Sequence, residues 1–521
     1  MREYILSNEE AKRVDNHVIR EMGISGTELM RRAGKAVALK AKEMLKDVPG
    51  SRVDVFCGTG NNGGDGFVAA LNLHDWGAVV YTWVLGPVER IKGDALHFYK
   101  KCKEYGLNIR HVLQKEDIKI VRDISESDLI IDAIFGTGFR GGMKEPQLSI
   151  VKIINDSGRP VISVDIPSGV NGDTGEIVDV AVKSEATVTM GFLKRGLLLY
   201  PGKKHVGELT VVDIGYPEEA FEILREKVYL LHDYEVRDII PPISGDTYKH
   251  RQGKVLVFAG SVGMTGAAAL VCSAAMRTGA GLVVNAIPRS LNDIMEVKLT
   301  EALTLPVEES ANRTFCVESL DERVIEKIEW SDVVVFGPGV SFSQSVVEFA
   351  IKLFEKCRNK LIVIDADGLK VFRNRLDLLK ELENVILTPH LGEFSFIVEK
   401  PIDEIRRSII DTGRTFAKDF GCVLVLKGAP TILFNCDGEV VFNSTGNPGL
   451  ATGGTGDVLT GMISSFVAQG MDMWSAAKAG VFLHGYAADK IVENSSMRGL
   501  IAGDIIRVVP EVLKQFEKVD R

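Results

Sequence analysis

Short, mainly apolar runs, six of them closed by glycine or an acid, recur along the chain: Val53–Cys57, Ala78–Leu85, Leu129–Ala133 and Val161–Val164, then Val255–Ala259, Leu282–Ile287, Val333–Phe336, Leu361–Ile364, Val385–Leu387 and Val423–Leu426. Most run continuously instead of alternating with polar residues, the pattern of parallel strands buried on both faces. Stretches with helical spacing separate them, among them Phe67–Trp76 and the alanine-rich Ala267–Arg277. Strand and helix alternate, so the class is α/β. Two helices precede the first strand. Ser7 with Glu10 and Ser25 with Glu28 make capping boxes that open helices over 8–22 and 26–46, and Gly23 ends the first. They are expected outside a sheet or at a subunit interface. A hairpin, Thr431–Phe434 and Glu439–Phe442 across Cys436-Asp437-Gly438, reads as an edge flap over a nucleotide. Past Ile214 the pattern loosens into Tyr216-Pro217, a charged helix expected near 218–227 and Pro241-Pro242. The expected organisation is one α/β domain over 1–217, a linker over 218–240 and a second α/β domain over 241–521.

The glycine-rich loops carry the candidate chemistry. In Asn447-Pro448-Gly449-Leu450-Ala451-Thr452-Gly453-Gly454-Thr455-Gly456-Asp457, glycines run into a helical pattern made by Val458, Leu459, Met462, Ile463 and Phe466. Such a turn presents unpaired backbone N–H groups at the positive end of a helix and suits phosphate. Asp457 would repel that phosphate unless a substrate proton or a metal ion lies between them. One reading is phosphoryl transfer with Asp457 as base; the other is an ordinary first-turn acid. The helix N-terminus predicts a low pKa for it. His484, alone on a helix of small residues, reads as packed and hydrogen-bonded.

In the first half, Gly58, Gly60 and Gly63 satisfy GxGxxG, but the following strand, Val79–Leu85, ends without the acid that would hold a ribose hydroxyl. Asn61-Asn62-Gly63-Gly64-Asp65 is better read as a polar pocket floor. Asn62, Asp132, Asp165 and Ser168 all stand at strand ends, where parallel sheets gather ligands. Oxygen donors without histidine or cysteine suit a hard cation; alternatively Asp132 and Asp165 cap their loops.

Composition narrows the partners. Of 521 residues 45% are hydrophobic and the net charge is −9, with no basic stripe carrying interleaved aromatics, so nucleic acid is not expected. No apolar run reaches membrane-spanning length, and the first ten residues lack a signal-peptide core. Seven cysteines without CxxC or zinc spacing read as reduced residues of a cytoplasmic protein. No GxxxxGK[ST] is present, which excludes P-loop kinases.

Taken together, Gly260–Ala268, Gly337-Pro338-Gly339, Thr388-Pro389-His390 with Gly392-Glu393, Lys427-Gly428 and Asn447–Asp457 resemble the ADP-dependent NAD(P)H-hydrate dehydratases of the ribokinase-like fold. Asn61–Gly66 and Val164-Asp165-Ile166-Pro167-Ser168-Gly169 are similar to the NAD(P)H-hydrate epimerases. Joined in this order, the two halves resemble the fused NAD(P)H-hydrate repair enzymes over nearly the whole chain. The resemblance implies a Rossmann-like three-layer α/β/α domain followed by a ribokinase-like α/β domain. It implies an isomerase that interconverts the R and S hydrates of NADH and NADPH, and a lyase that dehydrates the S form with ADP and magnesium, releasing AMP and phosphate. Asn61, Asn62, Gly63, Gly64, Asp65, the loop Gly136-Thr137-Gly138-Phe139-Arg140-Gly141-Gly142 and Asp165 would contact the hydrate. Asp165 would also handle the proton of epimerisation. Asn62, Asp132 and Ser168 would hold potassium. Ala267, Gly339, His390 and Asp457 would line the dehydratase site; Lys427, Gly428, Ala429, Pro430, Thr431 and Asn447–Gly456 would cradle ADP. A homo-oligomer is implied as well. The rival readings are an ATP-dependent vitamin or sugar kinase in the second half and a non-catalytic nucleotide sensor.

Overall fold

The structure, a computed structural model, describes residues 2–518. It divides into two compact units, Met1–Arg225 and Glu226–Arg521.

In the N-terminal unit the apolar runs form seven strands: β1 (Arg52–Cys57), β2 (Val79–Val84), β3 (Asn108–His111), β4 (Leu129–Ala133), β5 (Val161–Val164), β6 (Ala186–Met190) and β7 (Glu208–Val212). They pair in the order β3-β2-β1-β4-β5-β6-β7, every neighbour parallel. Both faces are covered. Val53, Val55 and Cys57 of β1 join one apolar cluster, and Phe56 joins another with Ile150, Val151 and Ile154. This is the three-layer arrangement. The two early helices are α1 (Asn8–Arg20) and α2 (Gly26–Leu45). Ser7 and Glu10 form the full capping box. Ser25 accepts from the Glu28 amide, but the Glu28 carboxylate turns to Arg31 and Arg32, so the second box is half made. Helix α3 (Asn61–Asp75) begins six residues before the expected Phe67. Its glycines are the reason: a Cβ on Gly66 would lie 2.6 Å from Ala133 Cβ, so only a bare backbone fits the first turns against the sheet.

The C-terminal unit holds ten strands: β8 (Val228–Leu231), β9 (Lys254–Phe258), β10 (Leu282–Pro288), β11 (Leu303–Val307), β12 (Val333–Phe336), β13 (Leu361–Ile364), β14 (Asn384–Leu387), β15 (Val423–Leu426), β16 (Ile432–Phe434) and β17 (Val440–Asn443). Their order is β8-β17-β16-β15-β14-β13-β12-β9-β10-β11, and β16 alone runs antiparallel to its neighbours. One face packs on α4 (Thr265–Arg277), α5 (Thr455–Ala468) and α6 (Met473–Val492). The other carries an aromatic cluster of Phe258, Phe315, Phe336, Phe349, Phe354 and Phe372.

Two expectations are corrected here. The stretch 218–240 is no linker: Ala220 and Phe221 are buried in the first unit, and β8 is a strand of the second. In the run Val228-Tyr229-Leu230-Leu231 all but Leu230 are buried, enough apolar surface to draw it into the sheet. Because β8 pairs with β17, the β16–β17 hairpin is not an edge flap. Its residues Ile432–Phe434 and Val440–Phe442 are fully interior.

Candidate active sites

In an open parallel sheet, ligands collect where strand order reverses. In the first unit that point lies between β1 and β4, and the loops after them come very close. A Cβ on Gly58 would stand 2.0 Å from the Ile134 carbonyl oxygen, and one on Gly63 2.0 Å from that of Gly58. A cleft of about 1190 Å³ opens above. Asn61, Asn62, Asp65, Gly136–Arg140, Gly142 and Asp165 line it, whereas Gly63, Gly64 and Gly141 do not. Gly64 instead packs on Met30, where its Cβ would come 2.5 Å from the sulfur.

Asp165 holds a left-handed backbone conformation, φ +67°, which a non-glycine residue adopts only when its surroundings enforce it. Its amide donates to the Val188 carbonyl at 2.7 Å. Its carboxylate forms an ion pair with Lys194 at 2.6 Å and accepts from the Thr189 hydroxyl at 3.1 Å. Lys194 is buried. Its ammonium also reaches the Thr189 hydroxyl at 2.8 Å and the carbonyls of Met190 and Phe192 at 3.0 and 3.2 Å. It is placed by the two-residue strand Leu193–Lys194, paired parallel with Ile5–Leu6. Across the same cleft the Tyr216 hydroxyl donates to Asp15. Burial raises the pKa of Asp15, partly offset by that hydrogen bond. Burial, together with Asp165 and Asp15, raises that of Asp65 well above the usual carboxylate range.

The three residues expected to hold a cation are partly gathered. Asp132 is buried and accepts from the Ser168 hydroxyl at 2.6 Å, the Ser168 amide at 2.8 Å and the Ser163 hydroxyl at 2.8 Å. Burial nonetheless raises its pKa. Asn62 shares no hydrogen bond with either among the described residues. Its buried amide nitrogen has no acceptor, and its oxygen lies 3.2 Å from the position a Cβ on Gly136 would take. The Asp132 carboxylate and the Ser168 hydroxyl are oxygen donors that fit a hard cation, whereas the unpaired atom of Asn62 is an N–H donor, so of this residue only the amide oxygen could join them.

In the second unit the reversal lies between β9 and β12. The Gly260 amide donates to the Pro338 carbonyl at 2.9 Å, and Ser261 donates to the Gly339 carbonyl at 2.8 Å. A Cβ on Gly339 would come 3.0 Å from that of Ala267, so these two predicted site residues meet. The Asn447–Gly456 loop is shaped by its own side chains. Asn447 accepts from the Gly449 amide at 3.0 Å and donates to Asp489 at 2.9 Å; Thr455 donates to the Leu450 and Thr452 carbonyls at 2.9 and 3.0 Å. Gly454, φ +91°, precedes α5.

Asp457 stands in the first turn of α5, and its pKa is pushed up to about 7. Burial is the main cause; Asp365, Asp367 and Glu393 add to it and Lys427 opposes it. The low value expected from the helix dipole is thus overturned. Lys427 forms an ion pair with Asp365 at 2.7 Å. Burial pulls the lysine's pKa down, but the carboxylates of Asp365 and Glu393 outweigh it and the net shift is upward. The Lys427 amide donates to the Pro389 carbonyl at 2.8 Å, which sets the next residue, His390, alongside. His390 is exposed and caps the helix Leu391–Val398, its Nδ1 accepting from the Glu393 amide at 3.0 Å. Thr431 lies 3.4 Å from the Gly428 amide. His484 is buried behind the loop, its pKa pulled down to about 4 by burial, which fits a packed residue.

Sequence reasoning missed Lys194, Asp15, Tyr216, Asp365 and Thr460 as members of these sites. Asp365 carried a signal, an acid at the end of a buried strand. Thr460 lies one helical turn beyond Asp457 and reads as a core position of that helix; Lys194, Asp15 and Tyr216 become neighbours only through the tertiary fold.

A family model described as NAD(P)H-hydrate dehydratase matches residues 255–511, and one described as YjeF-related protein N-terminus matches residues 26–196. The bifunctional NAD(P)H-hydrate repair enzyme of Moorella thermoacetica is 34% identical over 522 residues, covering 99% of this chain and 97% of its own. That of Thermofilum pendens is 35% identical over 512 residues, covering 98% and 96%. A solved ribokinase-like superfamily protein from Enterococcus faecalis V583 covers 56% of this chain and 97% of its own at a TM-score of 0.50 and 24% identity, a likeness of fold.

Proposed function

Because the chain belongs to the bifunctional NAD(P)H-hydrate repair enzymes, an epimerase joined to a dehydratase, we propose that Asp457 is the base of the dehydration and Asp165 the proton-handling residue of the epimerisation. The observation that carries the first assignment is Asp457 itself: a half-buried carboxylate with a pKa near 7, at the start of a helix whose preceding loop suits a diphosphate. In the dehydratase, ADP lies along Lys427–Thr431 and Asn447–Gly456, and Ala267, Gly339 and His390 border the hydrate. Asp457 takes the proton of the ring hydroxyl as its oxygen bonds to the β-phosphorus and AMP departs. The ring nitrogen's electron pair then expels the phosphate, and loss of a proton from the neighbouring carbon restores the dihydronicotinamide. Magnesium entering with ADP supplies charge screening on the diphosphate.

In the epimerase, the lining residues Asn61, Asn62, Asp65 and Gly136–Arg140 hold the hydrate ring beside Asp165. Asn62, Asp132 and Ser168 would hold potassium, which supplies a fixed positive charge beside the polar ring. A cytoplasmic homo-oligomer is part of the same reading, the compartment supported by seven free cysteines and the assembly by Leu39 exposed on α2; cell fractionation and light scattering on the purified chain test it.

The deciding assay mixes the S hydrate of NADH with ADP and magnesium and follows recovery of the reduced-nicotinamide absorbance together with AMP and phosphate. Asp457→Asn should abolish that recovery while ADP binding and epimerisation persist. Reaction of only ATP with a vitamin alcohol, or full dehydration by Asp457→Asn, would overturn the reading.

A further inference from the structure

Asp365 closes β13, and both oxygens of its carboxylate are committed. One accepts from the Lys427 ammonium at 2.7 Å, the other from the Thr460 hydroxyl at 2.7 Å. It also stands at the N-cap position of the short helix Ala366–Phe372, the ordinary employment for a strand-end aspartate, yet its side chain makes no capping bond there. Its place is tightly held. The Asp365 amide donates to the Phe336 carbonyl at 3.1 Å, and the next residue, Ala366, takes a left-handed φ of +51°. A Cβ on Gly337 would fall 2.0 Å from the Asp365 carbonyl oxygen.

The two groups it holds flank Asp457. Thr460 lies three residues on along α5, on the same face of the helix. The Lys427 ammonium lies 3.2 Å from where a Cβ on Gly456 would be, beneath the residue that precedes Asp457. We propose that Asp365 is a positioning residue of the dehydratase: by tying Lys427 and Thr460 to the end of β13 it fixes the first turn of α5 and the charge that Asp457 meets. A strand end, a second strand end and a helix are thereby joined through one buried carboxylate.

The charged groups around Asp457 come from each neighbouring segment: Asp365 and Asp367 from the N-cap and first turn of the short helix after β13, Glu393 from the helix after His390, and Lys427 from the residue after β15. Asp367 is paired with Lys370 at 2.7 Å and accepts from the Ser341 amide at 3.1 Å; Glu393 is engaged with the His390 amide at 2.8 Å. Asp365 and Lys427 are bound to each other and, being of opposite charge, act on the base in opposite directions.

The inference rests on Asp457 being the base, and the experiment separates the two. The acid limb of kcat/KM for dehydration is recorded at saturating ADP for the full chain. Asp365→Asn removes a negative neighbour, so Asp457 loses its proton more readily and the limb moves down by about one pH unit, with kcat about tenfold lower. Lys427→Met removes the positive neighbour, and the limb moves up. Thr460→Val changes no charge; its rate falls several-fold with the limb unmoved. A limb for Asp365→Asn that coincides with the parent's or moves up, or an unimpaired Thr460→Val, overturns the proposal. If Asp365→Asn fails to bind ADP as a folded protein, the upward shift of Lys427→Met and the rate loss of Thr460→Val decide it. Dehydration surviving in Asp457→Asn instead overturns the base assignment.

Discussion

At the scale of single residues, Asp457 is where local rule and tertiary setting disagree. A helix N-terminus favours a carboxylate by about 0.3–1 kcal/mol, whereas a pKa raised from 3.8 to about 7 corresponds to a penalty on the order of 4 kcal/mol. Desolvation and the Asp365 charge therefore outweigh the dipole. As the base must be unprotonated, kcat/KM for dehydration should rise with pH and level off above about 7; a limb centred near pH 4 would contradict it. The same shift has a stability consequence. The folded state keeps the proton to higher pH than the unfolded chain does, so this group's contribution is greatest at low pH and is lost as pH rises through about 7. Asp457→Asn should then raise the melting temperature of the ligand-free protein by a few degrees at about pH 8, and by less at about pH 5. Residues such as Asp457 and Asp165 were legible because each ends a recognisable strand or glycine loop. Lys194 was not. It lies on a two-residue strand with no periodicity, and its partner strand, Ile5–Leu6, is at the other end of the unit's sequence.

At the scale of elements, the buried parallel strands were legible as continuous apolar runs, and the glycine loops marked their carboxyl ends. Two elements were not. The run Val228–Leu231 is short and follows Arg225-Glu226-Lys227, so nothing local distinguishes it from a linker; its membership comes from pairing with β17. Helix α3 begins at Asn61 although its first turns are rich in glycine, a poor helix former. Tertiary packing overrides propensity there, since the Gly63 Cα sits where a side chain would strike the Gly58 carbonyl. This makes Gly63 a packing requirement more than a ligand. Gly63→Ala should destabilise the N-terminal unit by about 1–3 kcal/mol and remove epimerisation while dehydration of the S hydrate continues. Scanning calorimetry with both assays checks it, and an unchanged first unit with normal epimerisation would show that the loop can yield.

At the scale of the whole chain, each unit carries its own core and its own reversal point in strand order, so two chemistries are available without a shared residue. What links them is the substrate. On the proposal that dehydration consumes the S epimer alone, a mixture of R and S hydrates is emptied completely only if the first site replenishes the S form. The Lys194–Asp165 ion pair is the feature of that first site most exposed to a single change. Lys194→Met leaves Asp165 without its buried counter-charge, and epimerisation should fall by about 100-fold. Given ADP and a mixed hydrate, this variant should repair the S fraction at the parent's rate and then stall, until the uncatalysed epimerisation supplies more. If Asn62, Asp132 and Ser168 hold potassium as proposed, replacing it by a bulky organic cation should produce the same two-phase course in the parent protein, because all three residues belong to the first unit. A single phase in both cases would mean that neither Lys194 nor the cation limits epimer supply. A slowed first phase would mean that the two sites are not chemically independent.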